Sequence, residues 1–181
     1  LNLKIPPETP PGRYELQLEA ISHAGPLSVL DRNHAPAGPT LRIGQLSVSS
    51  SATPADSRKV KVERAVDVRV LEGFSIAGYS LGRKELQPGE QLKMDIIWSA
   101  ARKVAGDYLI QIGLVDKTGK LWASRSGRPV GDAFPTTAWR PGETLRGKYT
   151  LTLEASVPEG EADLRIELLD AASGQSLARL S

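Results

Sequence analysis

The stretch Leu145-Arg146-Gly147-Lys148-Tyr149-Thr150-Leu151-Thr152-Leu153-Glu154 decides the fold. Its apolar side chains alternate with charged and hydroxyl side chains. A period of two places one row of side chains toward a core and the other toward water. The inward row is Leu145, Tyr149, Leu151 and Leu153. We therefore predict an amphipathic β-strand.

The same alternation recurs along the chain, and glycine- and proline-bearing turns separate the recurrences. No comparable stretch carries a 3.6-residue apolar stripe with helix caps, so at most a short helical turn is expected. The pattern predicts an all-β fold, an antiparallel β-sandwich of immunoglobulin-like or jelly-roll-like type. The further inward rows are Tyr14, Leu16, Leu18 and Ala20; Leu92, Met94, Ile96 and Trp98; Tyr108, Ile110, Ile112 and Leu114; and Leu164, Ile166 and Leu168.

Four turns are predicted from local sequence. The segments 116–120 and 171–175 are short glycine-containing connections between apolar runs, which favours hairpins. Pro88-Gly89 and Pro141-Gly142 each stand just before a strand. Pro-Gly suits the central positions of a type II turn, where glycine takes the positive φ.

Internal repetition suggests the domain organisation. Residues 3–30 resemble residues 151–180, so the N-terminus has the pattern of the end of a preceding unit, closed by a strand over 40–48. The small polar run 49–57 has the composition of a linker. We predict a partial β unit over 1–48, a linker over 49–65, and one nearly complete sandwich over 66–181.

Composition excludes several classes of protein. The chain of 181 residues has 23 basic and 21 acidic side chains, a net charge of +2 that is too balanced for a nucleic-acid surface. It has no cysteine, which excludes a disulfide scaffold, a thiolate metal site and a cysteine nucleophile. No segment approaches the ~20 apolar residues that span a bilayer, so no membrane insertion is expected. We expect no cofactor.

The predicted sandwich resembles the extracytoplasmic β-sandwich domains appended to bacterial multi-pass glycosyltransferases of the protein-mannosyltransferase type. The resemblance implies an extracytoplasmic location in a membrane-associated protein, with any transferase chemistry in a separate membrane-spanning region. Ala162 departs from the usual aromatic of the glycine-x-tyrosine pattern. The residues that carry the resemblance are 74–79, Pro88-Gly89-Glu90, Ile97-Trp98, Asp107-Tyr108, 114–116, Gly119, 135–137 and Trp139-Arg140-Pro141-Gly142-Glu143.

No catalytic residue and no metal ligand is singled out by the sequence. His23 and His34 lie in glycine- and proline-rich connections, which favours surface turns over a polar or metal site. The acidic residues are too many and too equivalent to select a glycosidase pair. Asp116 and Asp132 lie in oxygen-rich loops, but without a dense calcium motif.

Aromatic side chains are the candidates for ligand contact, because sugar rings stack on flat apolar surfaces. Trp98 shares its parity with Met94 and Ile96 and is assigned to the core. Trp139, Trp122 and Tyr79 are the candidate ligand-binding residues. For the two tryptophans, a plug at the end of the sandwich competes with an exposed platform, and the plug is preferred.

Three functions stay open at this point. The leading one is a non-catalytic accessory or interaction module of a larger, membrane-associated, glycosyltransferase-like protein. The second is a carbohydrate-binding domain. The third is an assembly module, in which the N-terminal segment completes a sandwich by strand addition to an unpaired edge, within one chain or between copies. The expected partner is a carbohydrate or another protein domain, and the oligomeric state is left open.

Overall fold

Strands account for the regular structure of the computed structural model, which describes residues 3–180. Two 3-10 turns, Ser57–Lys59 and Thr136–Ala138, are the helical elements of this described part. The predicted all-β class and the expectation of short helical turns are confirmed. The strands are β1 Gly12–Glu19, β2 Ile21–Ser22, β3 Gly25–Pro26, β4 Thr40–Val48, β5 Arg64–Leu71, β6 Phe74–Leu81, β7 Gln91–Ala100, β8 Tyr108–Asp116, β9 Leu121–Gly127, β10 Glu143–Thr152, β11 Ala162–Asp170 and β12 Ser176–Leu180.

Two compact units divide the described chain. One comprises Pro11–Ser50; the other comprises residues 3–10 together with 51–180. The larger unit therefore includes eight N-terminal residues that the sequence pattern assigns to the partial unit 1–48. Its first strand begins at Arg64, two residues before the predicted start. That 1–48, 49–65 and 66–181 are a partial unit, a linker and a separate domain stays a prediction.

The larger unit contains two four-stranded antiparallel sheets, in the orders β10-β7-β6-β5 and β12-β11-β8-β9. In the first sheet Leu145 lies opposite Trp98, and Tyr149 lies opposite Met94. Buried apolar residues of both sheets form one core, which is the arrangement of a sandwich. The predicted β-sandwich is confirmed.

Aromatic rings form the centre of this core. Trp98 is fully buried, and its ring stacks on Phe74 at a centroid distance of 5.2 Å. The inward rows predicted for β7 and β10 are buried throughout. On β8 the predicted row is buried except for the half-buried Tyr108; on β11 Leu168 is buried, while Leu164 and Ile166 are half-buried against the core.

The four predicted turns are present. Gly89 and Gly142 adopt φ of 85° and 80°, and the N–H of Glu90 and of Glu143 donates to the carbonyl three residues earlier, as in a type II turn. The segment 116–120 connects β8 to β9, and 171–175 connects β11 to β12, both as antiparallel hairpins.

The outer face of the first sheet is partly covered, which strand parity does not indicate. Ile97 belongs to the outward row of β7 and yet is fully buried. Its cross-strand neighbours are Gly78 and Arg146. A Cβ at Gly78 would stand 2.8 Å from a methyl of Val62, so Val62 packs on that face. Residues of the predicted linker thus belong to the packed structure of the larger unit.

Arg146 fixes residues 3–10 to the same face. Its guanidinium contacts Glu8 at 2.9 Å and Asp95 at 3.0 Å, and its backbone N–H donates to the Glu8 carbonyl at 2.8 Å. A further bond goes to the Lys61 carbonyl at 3.2 Å. Although burial lowers the pKa of Arg146, its bonds to the two carboxylates raise it more. This cluster explains why residues 3–10 group with the sandwich.

The smaller unit is built on the antiparallel pair β1–β4. Its inner-face prediction is wrong for Tyr14 and Leu18, because both are exposed, at 36% and 55%. Alternation correctly places these side chains on one face of the pair. It does not tell whether a second layer covers that face, and burial needs that layer.

Candidate functional site

Trp139 lies in the core and not on an open surface. It follows the 3-10 turn Thr136–Ala138, and its side chain is 1% exposed. The ring meets Phe74 edge-on at a centroid distance of 5.4 Å. Its buried Nε1 has no hydrogen-bond partner within residues 3–180. This placement corresponds to the plug at the end of the sandwich, and no ring face is open to a sugar.

Trp122 and Tyr79 occupy other strands. Trp122 lies on β9, is 8% exposed and belongs to the core, with Gly160 packed against the edge of its indole. Tyr79 lies on β6 opposite Ile96, half-buried against the core. The structure does not assemble the three predicted aromatic residues into one stacking platform.

A buried hydrogen-bond chain links two strands to a loop. The Trp98 indole N–H donates to the Tyr149 hydroxyl at 2.9 Å, and that hydroxyl donates to the Pro129 carbonyl. Burial raises the pKa of Tyr149 far above its usual range, so the phenol stays protonated. These two hydrogen bonds satisfy the Trp98 indole N–H and the Tyr149 hydroxyl inside the core, and they link the loop after β9 to the sheet.

A wide groove of about 340 Å³ lies on the outer face of the first sheet, and its accessible lining is mainly apolar, with charged and hydroxyl side chains among its residues. Outward side chains of three neighbouring strands line it. Asp95 stands between Ser80 and Lys148 in one cross-strand row, and Lys93 lies opposite Thr150 in the next.

The geometry of this groove suits hydrogen bonding more than catalysis. Two ammonium groups and two hydroxyls surround one carboxylate, and Asp95 is already bound by Arg146 at 3.0 Å. Such a set can bind hydroxyl-rich or weakly anionic molecules. Sequence reasoning missed the groove. Lys93 and Lys148 were visible as outward residues, but only the β7–β10 pairing brings them together.

Asp107 anchors the loop between β9 and β10. Arg128 contacts its carboxylate through Nε at 3.0 Å and Nη2 at 2.7 Å, and the Thr136 N–H donates to it at 3.2 Å. The Arg128 bonds, followed by that of Thr136, hold the pKa of Asp107 below its usual range. Thr136 is fully buried, and its hydroxyl also donates to the Gly106 carbonyl at 2.8 Å. The cluster therefore holds the loop between β9 and β10 in place.

The hairpin carboxylates have the same kind of role. Asp116 accepts from Thr118 Oγ1 at 2.6 Å and from two backbone N–H groups of its own turn. Asp170 accepts from Ser173 Oγ at 2.7 Å. These bonds lower the pKa of both carboxyls. Each carboxylate closes its own turn.

Residues 3–180 contain no cluster of three or more histidine, aspartate or glutamate side chains that could hold a metal ion. Both histidines are exposed, and His34 adopts a φ of 60° in a tight turn. In the same described range, no helix is both long enough and apolar enough to cross a membrane.

Compared with protein-family models, curated proteins and solved structures, the chain matches none of them.

Proposed function

We propose that the chain is a non-catalytic accessory or interaction module of a larger, membrane-associated, glycosyltransferase-like protein, located outside the cytoplasm. The sequence resemblance to appended glycosyltransferase domains motivates the parent protein and the location. The support for a non-catalytic role comes from the contacts that the charged side chains of this chain make.

One observation carries the proposal: two clusters of partly buried charged side chains hold segments of the chain in place. Arg146 with Glu8 and Asp95 fixes residues 3–10, and Asp107 with Arg128 fixes the loop before β10. A catalytic group needs free bonding capacity and access to substrate. The carboxylates of these two clusters are committed to arginine partners, which suits a rigid scaffold.

Hydrolysis assays test the non-catalytic role. The purified chain should give no turnover of aryl glycosides or aryl esters above buffer. Asp95→Asn is the variant to compare with the wild-type chain, because Asp95 is the carboxylate among the residues that line the groove. Turnover by the wild-type chain that is abolished in Asp95→Asn would contradict the proposal.

Carbohydrate binding is a second candidate, favoured by the groove and not by the predicted tryptophans. Lys93, Asp95 and Lys148 are the charged residues of an open groove, whereas Trp139 and Trp122 are core residues. On this hypothesis, sugar hydroxyls bind to the lysines, the carboxylate and neighbouring hydroxyls.

A glycan array with two variants distinguishes the candidates. Lys93→Ala with Lys148→Ala should abolish any array signal, while Lys117→Ala, an exposed lysine in the β8–β9 turn, should leave it unchanged. A signal insensitive to the double variant would exclude the groove as the site. No signal across a broad array would leave the interaction module as the better proposal.

A further inference from the structure

The smaller unit presents an amphipathic two-stranded sheet with one apolar face. Cross-strand register places Tyr14 opposite Leu46, and Leu18 opposite Leu41. The opposite face is polar, with Glu15 bound to Arg42 at 3.1 Å. The apolar face consists of Tyr14, Leu16, Leu18, Leu41, Leu46 and Val48.

This apolar face is most open at the end of the pair where Leu18 meets Leu41. Leu18 is 55% exposed and its partner Leu41 is 44% exposed. A pair of strands is marginally stable in water unless an apolar face packs against another layer. Two exposed leucines side by side on the apolar face indicate a surface that binds a partner.

The internal repeat shows which kind of layer covers such a face. Gly12 aligns with Gly160, so Leu16 corresponds to Leu164 and Leu18 to Ile166. In the larger unit Leu164 and Ile166 pack against the common core, to which the sheet β10-β7-β6-β5 contributes its aromatic and aliphatic face.

The second strands lie outside this repeat, since Leu180 matches Leu30 in the alignment, but each pair places a leucine beside the same position of its first strand. Ile166 lies opposite Leu180 on β12, as Leu18 lies opposite Leu41 on β4. The two pairs differ in their surroundings, because β11 also pairs with β8 and its apolar row packs against the core shared with the other sheet, whereas β1 and β4 form a two-stranded sheet. The apolar row of β1, which matches that of β11, is therefore the part of the repeat that indicates the covering layer.

We infer that the apolar face of β1 and β4 docks a four-stranded β-sheet of the same type as β10-β7-β6-β5, supplied by another sandwich unit. The hairpin then completes that unit, as β11 and β12 complete the sandwich seen here. This inference goes beyond the accessory role and does not depend on it, since it concerns assembly of the fold and not a ligand or a parent enzyme.

A tandem chain tests the inference with the whole protein retained. A copy of residues 51–150, which contains β5 to β9 and nearly all of β10, is joined ahead of Leu3. The repeat alignment places Leu3 where Leu151 follows in the native unit. The added strands should fold, and the amides of 12–19 and 40–48 should become protected from hydrogen exchange relative to the 181-residue chain.

Two variants on neighbouring residues of β1 supply the control. Leu18→Asp places a charge on the apolar face and should lower the folding equilibrium constant of the added unit by about 100-fold or more, as burial of an unpaired charge does. Gln17→Asp lies on the polar face opposite Arg42 and should change it little. Neither variant should alter the melting of the original sandwich.

Three results would overturn the inference. The added strands stay unfolded and the hairpin amides stay unprotected; or Leu18→Asp and Gln17→Asp have equal effects on the added unit; or the 181-residue chain forms a dimer that Leu18→Asp dissociates. The last result would identify a second copy as the occupant of the face. The role proposed for the sandwich stands or falls separately, by the hydrolysis assays.

Discussion

Gly147→Ala should be among the most damaging single-methyl additions to this chain. Gly147 lies in β10 opposite Ile96. A Cβ there would meet the Pro129 carbonyl and the Tyr149 hydroxyl well inside the 3.0 Å that real Cβ atoms essentially never breach. The obstacle is a backbone oxygen of a fully buried residue, so no side-chain rotation relieves it.

Two costs add up in this variant. Overpacking a dense core costs about 1–3 kcal/mol. Separating Tyr149 from the Pro129 carbonyl leaves two buried polar groups unpaired, at about 1–3 kcal/mol. A total loss of about 2–6 kcal/mol corresponds to a fall in Tm of roughly 4–24 °C for a chain of this size.

The melting temperature of each variant is measured by calorimetry, and Gly113→Ala is the matched control. Gly113 is also in mid-strand, but the atom in its way is a Leu121 methyl at 2.6 Å, at the end of a side chain that is 41% exposed and free to turn. Its loss should stay within about 1 kcal/mol. Equal melting temperatures for the two variants would refute the claim that the loop after β9 is fixed against Gly147.

Three further substitutions test the two ion-pair clusters and the aromatic core. Arg146→Met leaves the buried Glu8 and the half-buried Asp95 carboxylates without their arginine partner and should cost about 2–4 kcal/mol in urea unfolding, below the figure for a fully buried pair because water screens Asp95; a loss below about 0.5 kcal/mol would mean that the ion pairs are not formed in solution. Asp107→Asn should lower stability at neutral pH and flatten its decline in acid. The Asp107 pKa is depressed in the fold, so its contribution is complete above the unfolded pKa of about 3.9 and is lost as the pH falls through the lower folded pKa; denaturation curves from about pH 7 to pH 2.5 measure this, and parallel curves for variant and wild type would contradict it. Trp139→Ala should cost about 3–5 kcal/mol by opening a core cavity, and a fully stable variant would show that the indole is on the surface.

Alternation was sufficient to predict four of the eight strands of the sandwich, β7, β8, β10 and β11, and most of the side chains that they bury. Met94, Ile96 and Trp98 share the inward row of β7, as their spacing indicates. The turns were predictable for a similar reason, since Pro-Gly restricts the backbone within two residues. Both signals are local in the sequence.

The remaining features depend on contacts between distant residues. Ile97 has outward parity but is buried, because Val62 and the Arg146 cluster lie on that face. Leu18 has inward parity but is 55% exposed. Parity tells which side chains share a face, while coverage is a property of the whole fold.

The candidate site shows the same limit. Trp139 and Trp122 were chosen as possible stacking residues because each adjoins a turn, yet their side chains lie in the core. The groove between Lys93 and Lys148 was invisible, because its residues are 55 positions apart and meet only through strand pairing.

Native-state hydrogen exchange of the 181-residue chain, resolved by mass spectrometry, tests the central claim most directly. We predict that amides of β7 and β8, which lie inside their sheets, exchange only through global unfolding of the sandwich. Amides of the edge strand β5 should exchange faster. Fast exchange in β7 or β8, or protection in β5 equal to that in β7, would contradict a two-sheet sandwich centred on Trp98.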